Sequence, residues 1–206
     1  MANSLTFYTN PQSRGQIVRW MLEETGTDYQ TKIIEYGPPM KAPEYLAINP
    51  MGKVPAIKHG AAVVTECAAI CAYLADVFAA AQLAPAMDKR AEYYRWLFFA
   101  AGPFENAITN KSLGFTTNEQ QQRMAGYGTF DLAVSVVDDM LGSRDYVCGD
   151  KFTAADVYLG SHIDFGLMFG TLAATDNFNR YIERLQARPA YQSAKQKDMA
   201  LMPPSE

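Results

Sequence analysis

Apolar positions alternate with polar ones over short stretches in the first third of the chain, then recur at helical spacing through the rest. Leu5-Thr6-Phe7-Tyr8 is a β-prone run. The turn residues of TNPQSRG come next and lead into a helix whose apolar positions include Ile17, Val18, Trp20, Met21 and Leu22. Gly26 stops that helix, and Tyr29 to Tyr36, centred on Ile33-Ile34, reads as a second strand. The Pro-rich segment GPPMKAPEYLAINP holds only short helical turns and passes over the surface. The stretch from Asn49 to Leu74 is denser, with an extended run, a turn, a second extended run and a helix start. Pro55, directly after Val54, cannot donate to a sheet ladder, which argues for an edge, a bulge or a cis bond. Ala56-Ile57, a Lys58-His59-Gly60 turn and Val63-Val64 predict a hairpin. Thr65 then sits where an N-cap belongs, ahead of Glu66, and Ala68 to Leu74 has helical spacing.

A composition shift divides the chain. Asp76 to Asp88 is Ala-rich and contains Pro85, and the residues beyond Asp88 show almost no strand pattern. This predicts a first domain over 1–78, a linker over 79–88 and an all-helical domain over 89–206. From Lys89 onward the apolar residues keep helical spacing until Pro103, which should bend or end the helix. Gln120 to Leu141 predicts one further helix, with Phe130, Val134 and Val137 on one face. Asp138-Asp139 near its C-terminus is unfavourable against the helix dipole and predicts a basic neighbour. Thr153 and Asp156 have the spacing of a capping box, with Phe152 placed to staple onto Val157.

With 206 residues, 49% of them hydrophobic and 19% charged, the chain has enough apolar surface for one large core or two modest ones. A net charge of −4 and the lack of a basic run argue against nucleic acid or an anionic membrane as partner. No apolar run approaches the roughly 18 residues of a membrane span, and MANSLTFYTN lacks the features of a secretory signal, so a cytoplasmic location is expected. Cys67, Cys71 and Cys148 make an odd count without C-x-x-C, which argues against a disulfide framework. Cys67 and Cys71 lie one helical turn apart, but with only His59 and His162 elsewhere they read as small helix residues, and no metal is expected.

The Val54-Pro55 dipeptide, the short hairpin and the acidic Glu66 opening an Ala- and Ile-rich helix together resemble the glutathione-binding half of the cytosolic glutathione transferases. The order of elements is then that of a thioredoxin-like domain. The Phe152-Thr153-Ala154-Ala155-Asp156 segment resembles the family's helical-domain motif, whose role is in folding, and Arg188-Pro189-Ala190-Tyr191 is also similar. The resemblance implies an N-terminal thioredoxin-like α/β domain followed by a C-terminal all-α domain, and a homodimer. It also implies a cis Pro55, a Val54 backbone paired with the cysteinyl part of glutathione, and Glu66 holding the γ-glutamyl end. Cys67 stands where the family usually has Ser; a thiol is a weak donor, so only its backbone N–H is expected to contribute. Lys53 is a candidate for the glycine carboxylate, with Lys41 and Arg14 behind it.

A glutathione transferase must ionise a bound thiol whose pKa is about 8.5 when free. Lowering that by one to two units takes roughly 1.4–2.7 kcal/mol, which a charge-assisted hydrogen bond and a helix N-terminus supply. In the family the donor comes from the end of the first strand or the turn after it: here Ser13, as in the Ser-type classes, or alternatively Tyr8, Asn10 or Thr9. Glutaredoxins and thioredoxins keep a Cys at this turn, and Pro11-Gln12-Ser13-Arg14 has none. Tyr93, Tyr94, Trp96 and Phe104 are candidates for the electrophile pocket, with at least half of them expected to be core. The activity implied is conjugation of glutathione, bound as a substrate, to small hydrophobic electrophiles, or its use to reduce peroxides. The alternative is a transferase-like fold kept for protein binding.

Overall fold

The computed structural model describes residues 4–202. By its internal contacts the chain forms two compact units, the described parts of 1–83 with 188–206, and 84–187.

The first unit opens with strand β1 (Leu5–Thr9), helix α1 (Gly15–Thr25) and strand β2 (Gln30–Ile33). The four-residue helix α2 (Pro43–Leu46) is next, then β3 (Ala56–His59), β4 (Ala62–Thr65) and α3 (Cys67–Val77). The strand order is β2-β1-β3-β4, with β1 and β2 parallel and the other pairs antiparallel. Alternation along β1 sends successive side chains to opposite faces. Phe7 lies under the Arg19 guanidinium of α1, with 5.2 Å from its ring centre, and Tyr8 lies 5.9 Å from the Tyr45 ring of α2. Ile17, Val18, Met21 and Leu22 of α1 and Ile70, Cys71 and Leu74 of α3 complete the interior.

Several boundaries differ from expectation. Strand β2 spans only Gln30–Ile33; it is an edge strand whose four residues are all exposed. Lys58 and His59 belong to β3, so the hairpin turns on Gly60-Ala61. Thr65 pairs with Ala56 inside the sheet, and Glu66 takes the N-cap position of α3. The Val54–Pro55 bond is cis, as the resemblance implies.

The second unit contains α4 (Ala91–Phe99), α5 (Glu105–Ser112), α6 (Glu119–Met124), α7 (Phe130–Gly142), α8 (Ala154–Met168) and α9 (Asp176–Gln186). Pro103 neither ends nor interrupts the first of these: a π-turn over Ala100–Phe104 joins α4 to α5, its wider ring accommodating the missing N–H. The single helix expected over 120–141 is two, divided at Gly126 and Gly128. Asp138 finds no basic neighbour among the described residues. It accepts from the hydroxyl of Thr175 and from Asn177 Nδ2, at the N-terminus of α9, where helix polarity favours a carboxylate. The last helix, α10 (Pro189–Met199), belongs to the first unit, where it lies against α1. Arg19 and Asp198, each 2% exposed, meet there at 2.6 Å, and Arg188 makes a paired contact with Glu24 at 2.6 and 2.7 Å.

The Asp156 carboxylate, fully buried, accepts from the N–H groups of Val147 and Thr153 and from the hydroxyls of Thr153 and Tyr181, at 2.7–3.0 Å. It thus joins the loop before α8 to α9. Thr153→Ala should cost about 1–2 kcal/mol. Asp156→Ala, which strands several buried donors, should cost about 3 kcal/mol or more, read from urea midpoints. Burial pushes this carboxyl up to about 6 against the pull of its hydrogen bonds, while an unfolded Asp titrates near about 3.9. The native state therefore holds the proton more tightly, and this group's contribution to stability should fall as pH rises from about 4 to about 6 and then level off. Equal pH slopes for wild type and Asp156→Asn over that window would contradict this.

Candidate active site

The first unit brings three chain segments to one end of its sheet. Ala56 faces Tyr8 on one side and Thr65 on the other, so Val54-Pro55, the end of β1 and the start of α3 lie side by side. Gly15 lets the turn after β1 close tightly, since a Cβ there would come within 1.9 Å of Thr9 Oγ1. Cys67 Sγ, in the first turn of α3, lies 3.7 Å from the Arg14 carbonyl, which places the beginnings of α1 and α3 next to each other.

The four candidate donors differ in access. Tyr8, Thr9 and Asn10 are all buried. Tyr8 lies in a cluster with Tyr45 and Ala56. Asn10 uses Nδ2 on the Ile34 carbonyl and Oδ1 on the Gln12 N–H. Ser13 is partly exposed: its hydroxyl donates to the Asn10 carbonyl at 2.6 Å and accepts from the Gly15 N–H at 2.9 Å.

Glu66 is exposed, and its carboxylate has no partner among the described residues. Its backbone sits at φ 66, ψ 120, a region non-glycine residues rarely occupy, at a cost of about 1–3 kcal/mol. The N–H groups of the helix turn after it have no intrahelical acceptors and attract anions. Lys53 is exposed and Val54 half-buried. Lys41, expected as a weaker candidate for a ligand carboxylate, donates instead to the carbonyls of Met51 and Gly52, at 2.9 and 3.2 Å.

Of the four aromatic candidates, Tyr93, Trp96 and Phe104 are buried in the second unit, where Trp96 Nε1 donates to Glu92; Tyr94 is 42% exposed. Among the described residues no group of three or more His, Cys, Asp or Glu is placed to hold a metal ion, and no helix is long and apolar enough to cross a membrane. Sequence reasoning missed Tyr45 and Asn49, which both donate to the Lys53 carbonyl. Their i, i+4 spacing ahead of the Pro-Met-Gly turn was the available signal.

A thioredoxin-like sheet carrying these three segments, joined in one chain to a helical unit, defines a class, and comparison with known proteins gives the same one. Residues 13–77 match the glutathione S-transferase N-terminal domain, and residues 74–189, more than half of the chain, match the C-terminal domain. The chain belongs to the glutathione S-transferase family, and its enzyme class is that of the glutathione transferases. Glutathione S-transferase 1 of Schizosaccharomyces pombe is 28% identical over 147 residues, covering 66% of this chain and 64% of that protein. Maleylacetoacetate isomerase of Pseudomonas aeruginosa is 28% identical over 199 residues, covering 92% and 93%. A sphingomonad glutathione S-transferase, solved in complex with glutathione, superposes with a TM-score of 0.76 at 25% identity, over 94% of this chain and 98% of that one.

Glu66→Gly relieves the positive φ and keeps an acceptable N-cap, so the unfolding midpoint should hold or rise while glutathione affinity falls at least tenfold, as for loss of a charge-assisted bond. Affinity equal to wild type by calorimetric titration would remove Glu66 from the site.

Proposed function

We propose that the chain conjugates the glutathione thiolate to small hydrophobic electrophiles, with Ser13 as the donor that holds the thiolate. The observation that carries this reading is access: of the candidate hydroxyl and amide donors at this turn, Ser13 alone is not buried. On binding, its O–H turns from the Asn10 carbonyl to the thiolate, while the Gly15 N–H keeps the oxygen in place. The exchange is favourable because a bond to an ionised acceptor is roughly twice as strong as one to a neutral carbonyl. Glu66 receives the γ-glutamyl ammonium, and the first-turn N–H groups of α3, that of Cys67 among them, receive its carboxylate. The Val54-Pro55 segment pairs with the cysteinyl unit, and Lys53, exposed beside it, takes the glycine carboxylate.

In the reaction the thiol proton leaves to solvent, sulfur forms a bond to the electrophilic carbon, and the leaving group departs with the electron pair. Reduction of peroxides by the same thiolate is the companion activity. The working form is a cytoplasmic homodimer, which sedimentation at micromolar concentration checks by a mass twice that of the chain.

Retention on immobilised glutathione with elution by free glutathione tests the binding half of this reading. Ser13→Ala should lower turnover with an aryl halide at neutral pH by roughly 10–100-fold with glutathione saturating, and raising the pH should recover much of the loss. Tyr8→Phe should leave the pH–rate profile in place. A shift with Tyr8→Phe and none with Ser13→Ala would transfer the role to the tyrosine.

A further inference from the structure

Three successive carbonyls lead into Val54, and side chains from the preceding segment capture all of them. Lys41 Nζ donates to the carbonyls of Met51 and Gly52, and Tyr45 Oη and Asn49 Nδ2 both donate to that of Lys53, at 2.6 and 2.8 Å. Asn49 also turns the chain on itself: its Oδ1 accepts from the Met51 N–H and its carbonyl from the Gly52 N–H. Gly52 is required in this turn, since its φ is +56 and a Cβ would come within 2.5 Å of the Met40 carbonyl.

The Lys53–Val54 peptide is trans, so its N–H points opposite its C=O. With that carbonyl drawn toward Tyr45 and Asn49, the Val54 N–H is turned to the other side, and it donates to no group among the described residues. A backbone donor presented in this way is an anchor for a ligand carbonyl. Tyr45 restrains it twice, because its ring belongs to the cluster of Tyr8 and Ala56 against which the Val54 side chain packs.

We propose that Tyr45 is a positioning residue for glutathione, acting through the Lys53 carbonyl to set the Val54 peptide that meets the cysteinyl unit of the ligand. This rests on the glutathione reading above and deepens it. Tyr45 touches neither the thiol nor the electrophile in this role. Its contribution therefore belongs to binding, held equally in the ground state and the transition state. Burial, and after it the neighbouring Tyr8, push the Tyr45 phenol up to about 12, so it remains a donor across the assay range.

The test is Tyr45→Phe, which keeps the ring and removes one donor. By calorimetric titration its dissociation constant for glutathione should rise about 3–10-fold, as for the loss of one neutral hydrogen bond. At saturating glutathione kcat should stay within about twofold of wild type, and the pH–rate profile should not move, in contrast to Ser13→Ala. γ-Glutamylcysteine, which lacks the glycine, should lose affinity by the same factor, because the contact with Val54 lies in the part the two ligands share. Thr153→Ala serves as a control that lowers the denaturation midpoint and leaves affinity unchanged. If Tyr45→Phe lowers the midpoint without changing affinity, the tyrosine is merely structural and the proposal is overturned. If the loss vanishes with γ-glutamylcysteine, Tyr45 acts on the glycine end and the proposal is equally overturned. Uptake by wild type matched by Tyr45→Phe defeats this inference alone; no uptake by wild type defeats the glutathione reading with it.

Discussion

The placement of Ala56 between Tyr8 and Thr65 governs the rest of the site. Because Ala56, the first residue of β3, pairs with Tyr8 near the end of β1 and with Thr65 at the end of β4, the segment after β1, the segment before β3 and the segment after β4 all emerge at the same end of the sheet. Two helices, α1 and α3, begin there, and a helix start carries partial positive charge. That end is thereby biased toward anions before any side chain is considered. Glutathione, with two carboxylates and an ionisable thiol, matches that bias. The side chains then decide which negative group goes where.

Much of this is legible in the sequence because the segments that build this end are short and carry strong local signals. Val54-Pro55, the turn glycines and the acidic helix opening need no long-range information. The features that escape sequence reasoning are of two kinds. Boundaries slip where the local chemistry is weak: Ala61-Ala62 gives neither a turn nor a strand signal, so the hairpin reads a residue or two early, and Thr65 looks like a cap when it is the last rung of β4. The break between α6 and α7 is hidden because the apolar spacing carries across Gly126 and Gly128 even though the helix does not. The second kind is non-local. Asp138 looks as if it needs a cation, yet a helix start from 37 residues further along the chain satisfies it with a hydroxyl and an amide. Tyr45 looks like one more aromatic in a surface segment; its i, i+4 spacing to Asn49 is visible, but the turn that brings the Lys53 carbonyl back to both side chains is set by the fold.

Strain and support are arranged around the site in a consistent way. Glu66 occupies an unfavourable backbone conformation while presenting an unpartnered carboxylate, an arrangement that stability alone would not retain. The segment opposite it, Met51 to Val54, is held by more hydrogen bonds than a surface turn requires. One side is thus strained and the other restrained, so both are set before anything binds between them. Preorganisation of this kind lowers the entropy lost on binding.

The ion pair between Arg19 and Asp198 closes contacts across 179 positions of sequence, and both partners are nearly inaccessible to water. Arg19 interrupts the apolar stripe of α1, and until α10 is made its guanidinium has the Tyr29 and Thr31 hydroxyls and the Phe7 ring beside it but lacks Asp198 as counter-charge. The unit that holds all four strands is therefore completed only by the last helix of the sequence. Translation delivers its strands early, but the helix that neutralises its interior arrives only after the whole second unit has been made. The interior of the first unit thus depends on a helix that the sequence supplies only beyond the whole second unit.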